Sequence, residues 1–278
     1  MPAMFRIPSL PRILFGSAFA AASAFAAAEF PGAEVAIHDE PLAPPPPPGS
    51  AVLATAASAP SAAAILARVR ASIPEVPLSM TARVTNLDPY GRTTGKIEAR
   101  GELFPAAKGE PATLRYTLLD PEETVSVRLL PGAPEAVPAV DWRERIRGSV
   151  ATWGDLSFSF FYWDDPRIEG RETLPGRGAC TILRLAAPEG FEGDGARLWV
   201  HDGYGAVLRG EILSRGTPVK RYEVLSVRKL RQIYMIGEME IVSLATKERS
   251  RLKVSDLDFA SPEYTEEEKA LFNAPASW

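Results

Sequence analysis

The chain has 278 residues, a formal net charge of −4 at pH 7, 46% hydrophobic residues and a single cysteine. A mildly acidic balance excludes a protein that holds nucleic acid or an anionic membrane surface by bulk charge. One thiol allows no intramolecular disulfide, so the fold has to hold together by apolar burial.

Residues 1–28 carry Arg6 and Arg12 and then an alanine-rich apolar run from Ile13 to Ala28. The run is too short and too weakly apolar to favour a membrane span, and Ala26-Ala27-Ala28 fits a small-residue cleavage site, so a secretory signal peptide is expected. Its removal takes away two arginines and no acid, which moves the formal charge from −4 to −6. No cysteine stands near the cleavage point, so no lipid anchor is expected there. Residues 29–60, with Pro44 to Pro48 among many alanines and serines, read as a linker. A single folded domain is expected over 61–278.

Ser61 can cap a helix that repeats Ile65, Val69 and Ile73 on one face and stops at Pro74. The period then becomes two. Leu78, Met80, Ala82 and Val84 alternate with polar residues, and beyond the Asp88-Pro89-Tyr90-Gly91 turn Ile97, Ala99 and Leu103 do the same. Leu114, Tyr116 and Leu118 make the next strand, and Val125, Val127 and Leu129 the one after. Prolines between Pro131 and Val140 are expected to interrupt regular structure. In the aromatic stretch that follows, Trp153, Leu156, Phe160 and Trp163 share a helical face, whereas Leu156, Phe158 and Phe160 share a strand face, and periodicity does not decide between them.

Strands are expected at Arg167 to Arg171 and Ala179 to Ala186. A three-strand meander follows, from Arg197 to Val227. Leu198 and Val200 alternate with Arg197 and His201, and after the Asp202-Gly203-Tyr204-Gly205 corner Leu208 and Ile212 alternate with Arg209 and Glu211. Ser214-Arg215-Gly216-Thr217 makes the second corner, and Tyr222 and Val224 mark the third strand. Further strands carry Ile233, Met235, Met239 and Ile241, then Leu252 and Val254, and residues 262–272 read as a short helix. An antiparallel sheet of about eleven strands, apolar on one face and short of covering helices, has to curl on itself. A mainly β, incompletely closed barrel is the expected architecture.

Three pieces carry a family resemblance: FYWDDPRIEG (Phe161 to Gly170), LWVHDGYGAVLRGEIL (Leu198 to Leu213) and VKRYEVLSV (Val219 to Val227). Together with ACTILRL (Ala179 to Leu185), they resemble the outer-membrane lipoprotein-sorting family, relatives of the periplasmic lipoprotein carrier LolA, over roughly residues 62–270. The resemblance implies a LolA-like half-open β-barrel with a helical lid, and a short helix near Trp153 to Phe160 packed across the open mouth. None of the matching pieces is a catalytic signature.

Catalytic constellations are not evident. His38 lies in the linker and His201 on the expected wet face of the meander, and there is no HExxH, no cysteine pair and no GxSxG elbow. Asp164 and Asp165 are neighbours in an extended segment and so point to opposite faces, which argues against an acid/base pair. Gly203, Gly205, Gly176 and Gly178 are turn glycines with no following helix to cradle a phosphate. Cys180 reads as a small core residue.

The resemblance and the composition together suggest a non-enzymatic, cofactor-free periplasmic carrier. Its ligand would be an acylated lipoprotein or a lipid, received from an inner-membrane transporter donor and passed to an outer-membrane acceptor. Burying a sixteen-carbon chain is worth on the order of 12 kcal/mol, more than a few polar contacts supply. The apolar cavity is expected from Leu78, Met80, Val84, Ile97, Leu114, Tyr116, Trp153, Leu156, Phe160, Trp163, Leu208, Ile212 and Met235. The alternative is a periplasmic sensor of LolA-like fold that binds a membrane-protein partner. A secreted hydrolase would need a nucleophile and base that the sequence does not offer. Amino-terminal sequencing of exported protein is expected to begin near Glu29, and recovery of intact Met1 chains from the inner membrane would overturn the signal-peptide reading.

Overall fold

A computed structural model describes residues 59–106, 110–230 and 233–259. The expected signal peptide, all but the end of the linker, and the expected helix over 262–272 lie outside the described residues.

Helix α1, Ala62–Arg70, starts where the Ser61 hydroxyl accepts the Ala64 amide at 3.2 Å. It buries Leu66 and Val69 and ends at Arg70, short of the expected run to Pro74. The chain then forms β1 (Leu78–Leu87), β2 (Thr93–Phe104), β3 (Thr113–Leu118), β4 (Glu123–Arg128) and β5 (Glu135–Val137). A crossing segment contains a 3₁₀ turn at Ile146–Gly148, helix α2 (Trp153–Leu156) and a second 3₁₀ turn at Ser159–Phe161. After it come β6 (Asp164–Leu174), β7 (Gly178–Ala186), β8 (Gly195–His201), β9 (Val207–Ser214), β10 (Thr217–Leu230), β11 (Ile233–Ser243) and β12 (Arg249–Phe259).

These twelve strands form one antiparallel sheet in the order β5-β4-β3-β2-β1-β12-β11-β10-β9-β8-β7-β6. The fold is a mainly β half-open barrel, with β5 and β6 as its free edges. The expected count was about eleven; the additional strand is β5, which pairs Val127 with Ala136 inside the proline-rich stretch expected to be irregular. The first and last strands meet mid-sheet, with Leu78 opposite Phe259 and Leu87 opposite Arg249. Every strand therefore pairs with a chain neighbour except at two places: the β1–β12 seam and the jump from β5 to β6.

The pleat sends one phase of each strand inward. Leu78, Val84, Ile97, Leu103, Leu118, Val125, Val127, Leu183, Leu198, Ile212 and Met239 are buried in one continuous core. The opposite face is laced with ion pairs, such as Arg115–Glu102 at 3.1 Å and Arg197–Glu169 at 2.6 Å. Such half-exposed pairs contribute at most about 1 kcal/mol each.

A second, smaller cluster of Leu174, Cys180, Trp199 and Leu208 lies on that outer face. Cys180 is fully buried there, and burial pushes its thiol up to about 11. Leu208 was expected on the same phase as Ile212, but a register shift between Trp199 and Val200 on β8 places an irregularity opposite it, and Leu208 turns to the outer cluster while Val207 packs on the main core. His201, expected on a wet face, is buried: its Nδ1 accepts the amides of Gly203 (3.1 Å) and Tyr204 (3.2 Å) and so organises the corner. Asp164 and Asp165 are exposed at the start of β6, and Asp165 has φ 55°, so the two are not the extended neighbours expected.

Core and edge positions should respond differently to truncation. Leu118→Ala, at a site with no exposure, is expected to cost about 2–5 kcal/mol in urea unfolding. Ile168→Ala, on the 48% exposed edge, should stay within about 0.5 kcal/mol. Equal losses at the two positions would contradict this division of the sheet.

Candidate functional site beneath the crossing segment

Because β5 and β6 are opposite edges, the chain between them has to traverse the apolar mouth of the sheet. From Ser149 to Trp163 it is buried almost throughout, including Trp153, Leu156, Phe160, Tyr162 and Trp163. The expected helix near Trp153 to Phe160 is present but broken. Phe158 adopts φ 51° and ψ 38°, which a bulky side chain rarely takes, and this separates α2 from the following 3₁₀ turn. Phe158 stacks on Phe161 at 5.5 Å, and Phe160 meets Phe161 and Tyr222 at 5.0 Å each.

A buried carboxylate anchors this lid. Thr152 and Asp155 form a reciprocal capping box, in which the Thr152 amide donates to Asp155 Oδ2 at 2.8 Å. The same oxygen accepts from Lys220 Nζ at 2.8 Å, and Oδ1 accepts the Tyr222 hydroxyl at 2.5 Å. Lys220 also bonds Glu192 of the β7–β8 loop. Gly210 lies opposite Tyr222 in the ladder, and a Cβ there would come within 3.2 Å of the Tyr222 ring. The absence of a side chain at 210 therefore gives the tyrosine its place.

Further ties reach the lid from other parts of the sheet. Tyr116 on β3 donates to the Leu156 carbonyl at 2.5 Å, and Ser250 on β12 accepts the Val150 amide at 2.9 Å. Arg70 of α1 donates to the Phe161 carbonyl at 2.7 Å and the Trp163 carbonyl at 3.1 Å. It also lies 5.7 Å from the Tyr162 ring centroid. Burial pushes the Tyr162 hydroxyl up to about 12, against the pull of Arg70, and holds the Tyr116 and Tyr222 hydroxyls well above their ordinary range. All three stay protonated near neutrality.

Burial opposes charge on Lys220, but Asp155 and Glu192 overcome it and hold the ammonium above its ordinary 10.5. Burial likewise raises Glu192, with Asp155 adding to the shift and Lys220 opposing it. The stabilisation from Lys220 is thus complete below its ordinary value and is lost only as pH rises through the higher folded one. Folding favours the protonated form of Glu192, so its contribution is present at acid pH and falls as pH rises through its own raised value.

Two small pockets, each about 10 Å³, flank Phe160. One is apolar, with Phe158, Phe161, Val207, Val224, Ile236 and Met239 among its walls. The other includes Thr152, Asp155, Ser159, Trp163, Phe191 and Glu192. Each is the size of about one water molecule.

Of the residues expected to line a cavity, Leu78, Val84, Ile97, Leu114, Tyr116, Trp153, Leu156, Phe160, Trp163 and Ile212 are buried together in the main core, and Met235 packs on it half-buried. Met80 is half-buried over Gly101, and Leu208 belongs to the outer cluster. Among all of these, Phe160 touches both pockets, while Trp163 and Ile212 touch the second. Asp155, Lys220, Tyr222 and Glu192 were missed. Thr152-x-x-Asp155 is a legible capping signature, and Lys220 shares the strand phase of Tyr222 and Val224, so a charge on an apolar phase was the available signal. No group of three or more metal-ligating side chains occurs among the described residues, and no helix there is long and apolar enough to cross a membrane.

A family model described as "uncharacterized protein" matches residues 133–267. Comparison with curated proteins found no match. Among solved structures, an outer membrane lipoprotein-sorting protein domain from Vibrio parahaemolyticus superposes with a TM-score of 0.63 at 13% identity, over 77% of this chain and 98% of that one. A DUF1329 family protein from Desulfovibrio piger gives 0.61 at 14% identity, covering 75% and 94%. A LolA superfamily protein from Nitrosomonas europaea gives 0.57 at 15% identity, covering 75% and 97%. At these identities the likeness establishes the fold.

The anchor can be tested by its own energetics. Lys220→Met leaves Asp155 buried with its charge uncompensated and is expected to cost about 3–5 kcal/mol. Adding Asp155→Asn should recover part of that loss, because the stranded charge is gone. Additive losses in chemical denaturation would show that the two side chains do not act as a pair.

Proposed function

Starting from the LolA-like half-open barrel, we propose that the protein is a periplasmic carrier that shelters the acyl chains of a lipoprotein or lipid on their way to the outer membrane. The observation that carries this reading is the cover of the apolar face. Besides α1, it is one crossing segment, rich in aromatic side chains, tied to the sheet by a few polar contacts: Asp155 to Lys220 and Tyr222, Tyr116 to the Leu156 carbonyl and the Val150 amide to Ser250. Such a cover can lift without breaking a strand pair.

Ligand pockets for molecules of this size hold roughly 300–1,000 Å³, far more than the two pockets beside Phe160. Loading therefore requires Phe158, Phe160 and Phe161 to move away from β9, β10 and β11, and the chain to take their place. The carrier reading is a binding function, with donor and acceptor proteins on the inner and outer membranes and no chemical step.

Incubation of the mature protein with a membrane lipid extract, followed by repurification and mass spectrometry, is expected to recover acyl compounds at near one per protein. Val224→Trp, which adds bulk to the apolar pocket wall, should reduce that yield several-fold. Recovery no greater than from an unrelated β protein of similar size would sink the carrier reading.

A further inference from the structure

The second pocket beside Phe160 is not merely a packing defect in an apolar core. Its walls come from the lid (Thr152, Asp155, Ser159, Trp163), the β7–β8 loop (Phe191, Glu192) and Ile212 of β9. Trp163 is 1% exposed, and its indole N–H is buried without a hydrogen-bond partner among the described residues. A buried N–H with no acceptor is costly to keep, so a site that holds one beside a pocket lined by Thr152, Asp155, Ser159 and Glu192 is suited to receive an acceptor oxygen.

The charges around the pocket restrict which oxygen that can be. Asp155 and Glu192 supply two carboxylates against the single ammonium of Lys220. The nearby Arg145 is committed to Glu248 at 3.0 Å and lies in the exposed layer. A third carboxylate, desolvated beside this pair, would meet net negative charge. An uncharged carbonyl oxygen would meet an indole donor. Beside the pocket Trp142 stacks on Phe191 at 4.7 Å and Trp163 lies edge-on to Phe191 at 5.7 Å.

We propose that this pocket seats the uncharged carbonyl of an acyl ester or amide, hydrogen-bonded by Trp163, while the hydrocarbon chain takes the space beside β9, β10 and β11 that the phenylalanine rings give up. The site accordingly accepts ester-linked or amide-linked acyl chains and rejects free fatty acids of the same length. This inference rests on the carrier reading and adds the chemistry by which the ligand's polar end is recognised.

The test compares monopalmitoylglycerol with palmitate, both below their aggregation concentrations, by equilibrium dialysis against the mature protein at neutral pH. The glycerol ester is expected to bind at least about tenfold tighter, since one hydrogen bond and one avoided like-charge contact both favour it. Trp163→Phe keeps the ring and removes the N–H, and should weaken ester binding by about three- to tenfold. Glu192→Gln removes one carboxylate from the pocket and should raise palmitate affinity, narrowing the preference from the other side. Because Glu192 sits in a loop, this variant keeps the test open should Trp163→Phe fold poorly.

Equal affinity of the wild-type protein for ester and acid overturns the inference while leaving the carrier reading in place. A preference unmoved by both substitutions also overturns it, since the discrimination would then arise elsewhere and the pocket would hold only water. If neither compound binds, the carrier reading fails and takes the inference with it.

Discussion

Twelve strands with one apolar face, and an order that puts consecutive strands β5 and β6 at opposite edges, leave the chain one route between them. It has to cross the mouth, and the crossing has to be apolar below and satisfied in its backbone within itself or by the sheet. The segment from Ser149 to Trp163 meets the first with its buried aromatic rings and the second with ties among which one carboxylate makes the most bonds. Asp155 caps its own helix through the Thr152 amide and spends its remaining lone pairs on Lys220 and Tyr222 of β10. Removing it would take the acceptor from the Thr152 amide and the Tyr222 hydroxyl and leave Lys220 with Glu192 alone in the same buried place.

Apolar packing and the polar anchor have different roles here. Phe158, Phe160 and Phe161 bury enough area to supply most of the lid's adhesion, at roughly 1.5–3 kcal/mol per large side chain. Such packing is not directional, and the rings could settle in several ways. The bonds to Asp155, the Tyr116–Leu156 bond and the pair from Arg70 fix one of them. Buried ion pairs add little net stability over an apolar replacement because desolvation offsets the attraction. What Lys220 and Asp155 provide is a definite closed position, with contacts made from α1, β3, β10 and β12 rather than from one wall.

Much of the sheet was legible because alternation is a strong signal when only one face is buried. The runs around Leu78, Ile97 and Leu114 translated directly into β1, β2 and β3. The signal failed where the pleat is interrupted. Leu208 sits at the β8–β9 register shift and turns outward, an event that periodicity has no means of announcing. Strand β5 was hidden because three residues between prolines give too short a run to show a period. The site was less legible than the fold for a different reason. Helical and strand faces both fit Trp153 to Trp163, and the residues that fix the lid are charged and distant in sequence, Asp155 and Lys220 standing 65 positions apart. Reading Lys220 required asking why a lysine keeps the phase of Tyr222 and Val224.

On the carrier reading, the filled interior also bears on how a ligand would leave. Transfer of a sixteen-carbon chain out of water is worth on the order of 12 kcal/mol, which alone would make release slow. The rings of Phe158, Phe160 and Phe161 compete for the same space, and re-seating them on the sheet returns several kcal/mol. The αL conformation of Phe158 opposes that return by about 1–3 kcal/mol, so the closed lid is itself under some tension. Loading then exchanges one set of buried apolar groups for another instead of filling a void. A barrel held open by rigid walls would bind more tightly and deliver less readily, and on this reading an aromatic lid held by a few polar ties would ease that conflict within one fifteen-residue stretch, 149–163.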